Sequence, residues 1–218
     1  MNTPATDREH IVDAALALAA DSHWENLRLY DVAANLGISL NDIRRHFREK
    51  EDLVEAWFDR ADAAMLAVPE TPGFHELTST ERIHKLIMAW LDALAPYRLV
   101  TRQMIVNKLE PGHLHVQIPG LLRVSRTVQW VREAAGRNAT FVRRALEETA
   151  LTSIYLATFA HWMADDSVGG QKTRRFLELR LRDAERLDHL VFRKRGRSEM
   201  PPPTETPRDE VAPATGKP

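Results

Sequence analysis

The side chains best suited to chemistry fall in one short stretch, Ser39, Asn41, Arg44, Arg45 and His46, with Lys50 just beyond. Hydroxyl, amide, guanidinium, imidazole and ammonium groups in such a run match base edges and phosphate oxygens better than they match a bond-making centre. Two other sets call for weighing. His113-x-His115 has chelating composition, but its loop is flanked by Pro111 and Gly112 and offers only Glu110 as a nearby carboxylate, whereas a catalytic zinc site takes three protein ligands. It reads as a pair of surface histidines. Asp165-Asp166, close to Gly169-Gly170, reads as a turn or cap rather than an acid–base pair. The chain has no cysteine, which removes disulfides, thiolate metal sites and thiol nucleophiles. It also has no Gly-rich phosphate loop, Ser-His-Asp order or zinc-protease motif. Catalysis, metal and cofactor are therefore all unexpected.

Positioning the first set is the task of short helices. Apolar residues recur at three-and-four spacing through most of the 218 residues, with only 9 glycines, and the period-two alternation of strands is nearly absent, so the expected fold is all-α. Ile11, Ala14, Ala15, Leu18 and Ala19 form the stripe of a first helix near 7–20. A second is expected at 30–36, closed by Gly37, and a third runs from Ser39, a good N-cap, to Phe47. Val32, Ala33, Leu36, Ile38, Ile43 and Phe47 then face the first helix, which is a helix-turn-helix with Leu40, Asn41, Arg44, Arg45 and His46 left over for a DNA groove. A helix at 51–67 ends before Pro69, Pro72 and Gly73. Further helices are expected at 79–94, 96–108, 119–135, 139–165 and 171–193. The predicted organisation is a three-helix domain over 1–68, a larger helical domain over 79–193, and a tail over 194–218. Six of the 12 prolines lie in that tail, which is expected to be disordered.

Charge adds a qualification. Basic and acidic side chains number 30 and 31, but the first 60 residues hold 7 basic and 12 acidic groups, a charge of −5. DNA affinity draws on phosphate neutralisation, so a DNA contact has to be local to Arg44, Arg45, Arg48 and Lys50. The segment 172–197 holds 10 basic and 4 acidic groups. The N-terminal residues lack the pattern of a secretory signal, and the apolar run 149–164 is shorter than the about 20 residues of a membrane span, so a cytoplasmic protein is expected. In the larger domain Trp90, Met104, Trp130, Tyr155, Phe159 and Trp162 supply bulk for a pocket that takes a small apolar ligand.

Gly37-Ile38-Ser39, Ile43, His46-Phe47, Lys50-Glu51 and Leu53, behind Asp31-Val32-Ala33, resemble the N-terminal signature of TetR-type transcriptional regulators over residues 8–58. The resemblance implies a DNA-binding head on a helical body that binds an effector and dimerises, acting as a repressor on operator DNA. Position by position, it implies Ser39 at a phosphate, Asn41 and Arg44 at the groove, His46 and Lys50 beside the backbone, and Phe47 in the core. The chain departs from the pattern with Arg44 in place of an aromatic and Arg28 in place of a Ser or Thr cap. Asp42 adds a carboxylate that phosphate repels unless it accepts a hydrogen bond from cytosine.

Trp162, Asp165-Asp166-Ser167, Thr173, Phe176-Leu177, Arg180-Leu181 and Asp183-Ala184 are similar to the C-terminal region of lipid-binding accessory proteins of coenzyme Q biosynthesis, which share the fold. That likeness implies a bound lipid in place of the effector, no DNA binding, and a peripheral membrane contact through 171–197. The membrane contact would use the arginine-flanked apolar stripe Phe176, Leu177, Leu181, Leu187 and Leu190, and that stripe serves equally well as the interface of a homodimer.

Overall fold

The computed structural model describes residues 8–108, 114–136 and 141–198, and all regular structure among them is helical. The elements are α1 (Arg8–Asp21), α2 (Leu29–Leu36), α3 (Leu40–His46), α4 (Lys50–Leu66), α5 (Ser79–Leu94), α6 (Arg98–Lys108), α7 (Leu114–Ala134), α8 (Phe141–Met163) and α9 (Gln171–Ser198). Helix boundaries follow the sequence pattern closely, with two differences. α7 starts five residues before the expected 119, so Pro119 falls in its second turn rather than at its first position; close to a helix start the missing N–H forgoes only one backbone bond. α9 continues to Ser198, so the first residues assigned to the tail are helical. The remainder of that tail lies outside the described residues.

α1 buries Ile11, Val12, Ala15, Leu16 and Ala19 against Val32, Ala33, Ile43 and Phe47. Gly37 ends α2 at φ 65°, a left-handed conformation costing other residues roughly 1–2 kcal/mol. In that turn Gly37 N–H donates to Ala34 O (3.2 Å) and Ile38 N–H to Ala33 O (3.0 Å). α2 starts without the usual hydroxyl cap. Asp31 supplies only the returning half of a capping box, accepting the Arg28 backbone N–H at 3.2 Å and the Arg28 guanidinium at 3.0 Å through both oxygens, while its own N–H donates to the Arg28 carbonyl at 3.0 Å.

α4 belongs to both halves. Leu53, Val54 and Trp57 bury with the head, and Phe58, Ala61 and Met65 continue the same apolar cluster into the body. The expected boundary at 68–78 is a packed corner of two 3-10 turns, where Val68 and Phe74 are buried. From the body, Arg123 on α7 reaches α4 with its side chain only 8% exposed. Its Nη1 donates to Glu55 Oε2 (2.7 Å) and Asp59 Oδ1 (3.1 Å), and its Nη2 to Asp59 Oδ1 (3.1 Å) and Asp62 Oδ2 (2.9 Å). The Asp62 Oδ1 accepts Trp90 Nε1 (2.7 Å) and Thr127 Oγ1 (3.1 Å). Burial pushes the Asp62 carboxyl up, against the pull of Arg123 and these donors.

A second buried carboxylate ties α8 to α9. Asp165, 2% exposed, accepts the Ser167 N–H (2.8 Å) and Oγ (2.6 Å) through one oxygen, and the Thr173 N–H (2.9 Å) and Oγ1 (2.6 Å) through the other. It is a cap for α9, as the turn reading expected. The Thr173 hydroxyl gives its proton to Asp165, so His161 Nδ1, 3.1 Å away, carries the hydrogen of that contact. The His161 ring lies flat on Phe176 at 4.7 Å. Arg174 completes the corner with a two-oxygen bond to Asp92 of α5 at 2.7 and 2.6 Å.

The carboxyls of Asp165 and Asp62 are shifted in opposite directions, yet each predicts a mutational loss that acid diminishes, for a different reason. Burial opposes ionisation of Asp165, but its four donors outweigh that and hold its carboxyl below the usual range. Its stabilisation is thus complete above the unfolded value near 3.9 and lost as pH falls toward the folded one. Asp165→Ala should cost about 3 kcal/mol at neutral pH, with the gap to the parent closing below about pH 4 in denaturant titrations. Arg123→Met strands a buried carboxylate and should also cost about 3 kcal/mol at neutral pH. Here the penalty comes from a carboxyl raised in the folded state, so acid should relieve it as Asp62 takes up a proton. A loss from Arg123→Met that is flat between neutral pH and pH about 4 would exclude Asp62 as its source.

Candidate nucleic-acid interface

The α3 helix owes its shape to residues that do not face outward. Ser39 caps it, with Oγ accepting the Asp42 N–H at 3.2 Å, and Asp42 returns the bond by accepting the Ser39 N–H at 3.1 Å and the Ser39 hydroxyl at 2.6 Å. Ile43 and the following Phe47 are buried, and Arg8 lies over the Phe47 ring at 5.4 Å. Leu40, Asn41, Arg44, Arg45 and His46 are all exposed. The structure thus places five of the expected DNA residues, with the Ser39 hydroxyl, on one short element.

Their electrostatics differ from the expectation at two points. Asp42 does not offer a free carboxylate to a base. The bonds from Ser39, with Arg45 and His46 nearby, hold its carboxyl below its ordinary value, and Arg45 Nη1 lies 3.0 Å from its other oxygen. Arg45 is consequently committed to Asp42, whereas Arg44 has no ion-pair partner among the described residues. Lys50 is half-buried and folded back onto the α1–α2 loop. Its ammonium donates to the Trp24 carbonyl and, at 3.1 Å, to the Glu25 carbonyl, and it lies 5.0 Å from the centre of the Trp24 ring. Burial lowers its pKa, with Glu51 and Glu25 acting against that.

The acidic charge of the head lies mostly elsewhere. Glu9 and Asp13 pair with Arg60 at 2.5 and 2.6 Å along α1 and α4. Glu55, Asp59 and Asp62 face Arg123, Asp31 faces Arg28, and Asp52 accepts the N–H groups of Arg48 (2.7 Å) and Glu49 (3.2 Å) at the start of α4. Arg44 and His46 thus stay exposed on α3, while Glu9, Asp13, Asp31, Asp52, Glu55 and Asp59 are engaged in caps and ion pairs.

In the body, five of the six residues expected around a ligand are buried, and four of their rings meet. Trp90 meets Tyr155 and Phe159 edge-on at 5.4 and 5.6 Å, and Phe159 stacks on Trp162 at 5.8 Å. Phe58 of α4 stacks on Trp90 at 5.7 Å, which brings the ring cluster to the helix that carries the head. Met104 is buried on α6. Trp130 does not belong with them. It is 47% exposed, because α7 turns Arg123, Thr127, Val128 and Val131 inward and position 130 points away from that stripe. The side chains of His113 and His115 lie outside the described residues. Of the apolar residues read as a membrane face on α9, Leu177 and Leu181 are buried in the core and Leu187 is exposed; Leu190 has no described side chain. No helix among the described residues is long and apolar enough to cross a membrane.

The polar centre at Asp62 and Arg123 was not expected from sequence. The spacing of Glu55, Asp59 and Asp62 on one face of α4 signals a shared cationic partner, but nothing local identifies Arg123.

Comparison with known proteins fits this arrangement. A family model described as COQ9 matches residues 134–188, from the end of α7 through α8 and into α9 as far as Asp188. No curated protein matches the chain. A TetR transcriptional regulator from Rhodococcus sp. RHA1 is similar in structure at 20% sequence identity, over 79% of this chain and 93% of that one, with a TM-score of 0.55, a likeness of fold. The TetR transcriptional regulator from Nitrosomonas europaea ATCC 19718 is 56% identical, over 82% of this chain and 97% of that one, with a TM-score of 0.75. A likeness of that identity and extent, on a helical head and body, establishes that this chain belongs to the TetR family of transcriptional regulators.

Proposed function

We propose that the protein is a cytoplasmic, homodimeric repressor that holds a palindromic operator with two copies of α3 and releases it when a small apolar effector enters the body. The observation that carries this reading is the exposed row Leu40, Asn41, Arg44, Arg45 and His46 on a helix whose cap and core contacts are made by other residues. Arg44 is the group free for a two-bond contact to guanine, Asn41 suits adenine, Leu40 suits a thymine methyl, and the Ser39 hydroxyl and His46 suit phosphate. Lys50 joins them as a phosphate contact if its carbonyl bonds open.

Dimerisation is supported by the face that α8 and α9 leave uncovered. Leu146, Leu156, Leu179 and Leu187 are exposed there, and Ala150, Ser153, Ala157 and Ala160 continue the α8 side at helical spacing. A second copy covers such a face with a self-complementary surface. The effector reading rests on the rings around Trp90. A ligand that parts Trp90 from Phe159 moves Phe58 and with it α4, and it weakens operator binding by its differential affinity for the two arrangements.

The COQ9 match favours a second reading, a lipid-binding accessory protein of ubiquinone biosynthesis that does not bind DNA. On that reading the purified protein carries isoprenoid lipid and floats with anionic vesicles through 171–197.

Selection from a random-sequence duplex pool tests the first reading. A palindromic consensus should emerge, Arg44→Ala should weaken it by about 1–3 kcal/mol with relaxed choice at one base pair, and affinity should fall steeply with salt. Enrichment of no sequence even at low salt would defeat the repressor. The double variant Leu156→Glu/Leu179→Glu should sediment as a folded monomer; an unchanged dimer would place the interface elsewhere.

A further inference from the structure

α6 grips the head at two places. Thr101 Oγ1 accepts Trp57 Nε1 at 2.9 Å, and two residues on, Gln103 Oε1 accepts the backbone N–H of Trp24 at 2.7 Å. Trp24 lies in the loop between α1 and α2, with its ring buried in the head. The carbonyls of Trp24 and Glu25 are the same groups that hold the Lys50 ammonium. One residue is therefore tied through its N–H to the body and through its C=O to a cation at the start of α4, next to the exposed α3 row. The tie is also reachable, since Gln103 lines an open cleft of about 890 Å³ together with Ser22, His23, Glu25, Arg98 and Arg102.

We propose that Trp24 is a coupling joint in which Gln103 acts as a positioning residue: while its amide fixes the Trp24 N–H, Lys50 stays on the loop carbonyls, and when that bond is lost Lys50 is released toward a DNA phosphate. This rests on the DNA-binding reading given above. The geometry favours a two-position lysine. An ammonium donates in three directions and is strongly hydrated, so it holds to two carbonyls only while the loop keeps them aimed at it. Fixing the loop from both sides supplies that aim. With the N–H free, the loop gains freedom and the carbonyl pair no longer converges. A phosphate, bearing full negative charge, then outcompetes neutral carbonyls for the cation. The body thereby adjusts how many charges the head offers without changing which bases α3 reads.

The test combines two measurements on the full chain. In the free protein, the Lys50 side-chain methylene signals should be shifted by the Trp24 ring current. Gln103→Leu and Gln103→Ser, which remove the acceptor or its reach, should return those signals to ordinary positions, and Gln103→Glu, which keeps an acceptor oxygen, should not. On a random-sequence duplex of two to three helical turns, Gln103→Leu should steepen the dependence of log affinity on log salt by about 0.9 per protomer. That increment should vanish in Gln103→Leu/Lys50→Met. Unshifted Lys50 signals in the parent, or signals unchanged in both Gln103→Leu and Gln103→Ser, would overturn the joint, as would a salt slope that ignores Gln103. If no form of the protein binds any duplex while the Lys50 signals still respond to Gln103, it is the DNA-binding reading that has failed and not the coupling of loop to body.

Discussion

Arg123 carries its charge into the seam between α4 and α7, and much of the surrounding geometry follows from satisfying it. A guanidinium at 8% exposure persists only with counter-charges and acceptors close by. All three carboxylates that serve it, Glu55, Asp59 and Asp62, come from α4, which leaves that helix no freedom to rotate. With this face turned to α7, Leu53, Val54 and Trp57 point into the head, and Phe58 lies between Trp90 and the Arg123 guanidinium, 5.7 and 5.4 Å from them. α4 starts just after α3, so an ionic cluster in the body fixes the angle at which the head is carried.

What sequence reveals here depends on whether the cause of a feature is local. Gly37 and Ser39 mark their helix ends because a left-handed turn and a hydroxyl cap are determined within four residues, and the three-and-four apolar spacing sets most other boundaries to within a few residues. Asp42 shows the limit of residue type as a guide. A carboxylate in a DNA-facing helix suggests repulsion or base contact, yet its position three residues after Ser39 makes it the second half of a cap. Trp130 shows the limit of bulk as a guide, since size suggests burial and helical phase decides it. Arg123, Gln103 and Lys50 were out of reach because their partners lie far away in the chain, and only the packing of α6 and α7 against α4 and the α1–α2 loop brings them together.

The charge of −5 over the first 60 residues has a similar explanation. A sum over sequence treats every carboxylate as equally exposed to a ligand, but Glu9, Asp13, Glu55 and Asp59 lie along α1 and α4 beside Arg60, Arg8 and Arg123. Field at a surface falls off within about 8 Å in physiological salt, so the nearest groups dominate the potential at α3. Asp42 is the carboxylate of α3 itself, and its oxygens are taken by Ser39 and Arg45.

The cap of α3 has a bearing on how such a protein changes over time. Ser39 and Asp42 hold the helix start, and Ile43 and Phe47 hold its buried side, which leaves Leu40, Asn41 and Arg44 with almost no structural duty. Substitutions at those three positions alter the exposed face of α3 with little penalty in folding, while substitutions at the cap or core remove that face altogether. On the DNA-binding reading proposed above, a lineage can thus drift from one target sequence to another through folded intermediates, because the residues that make the helix and the residues left exposed on it are different.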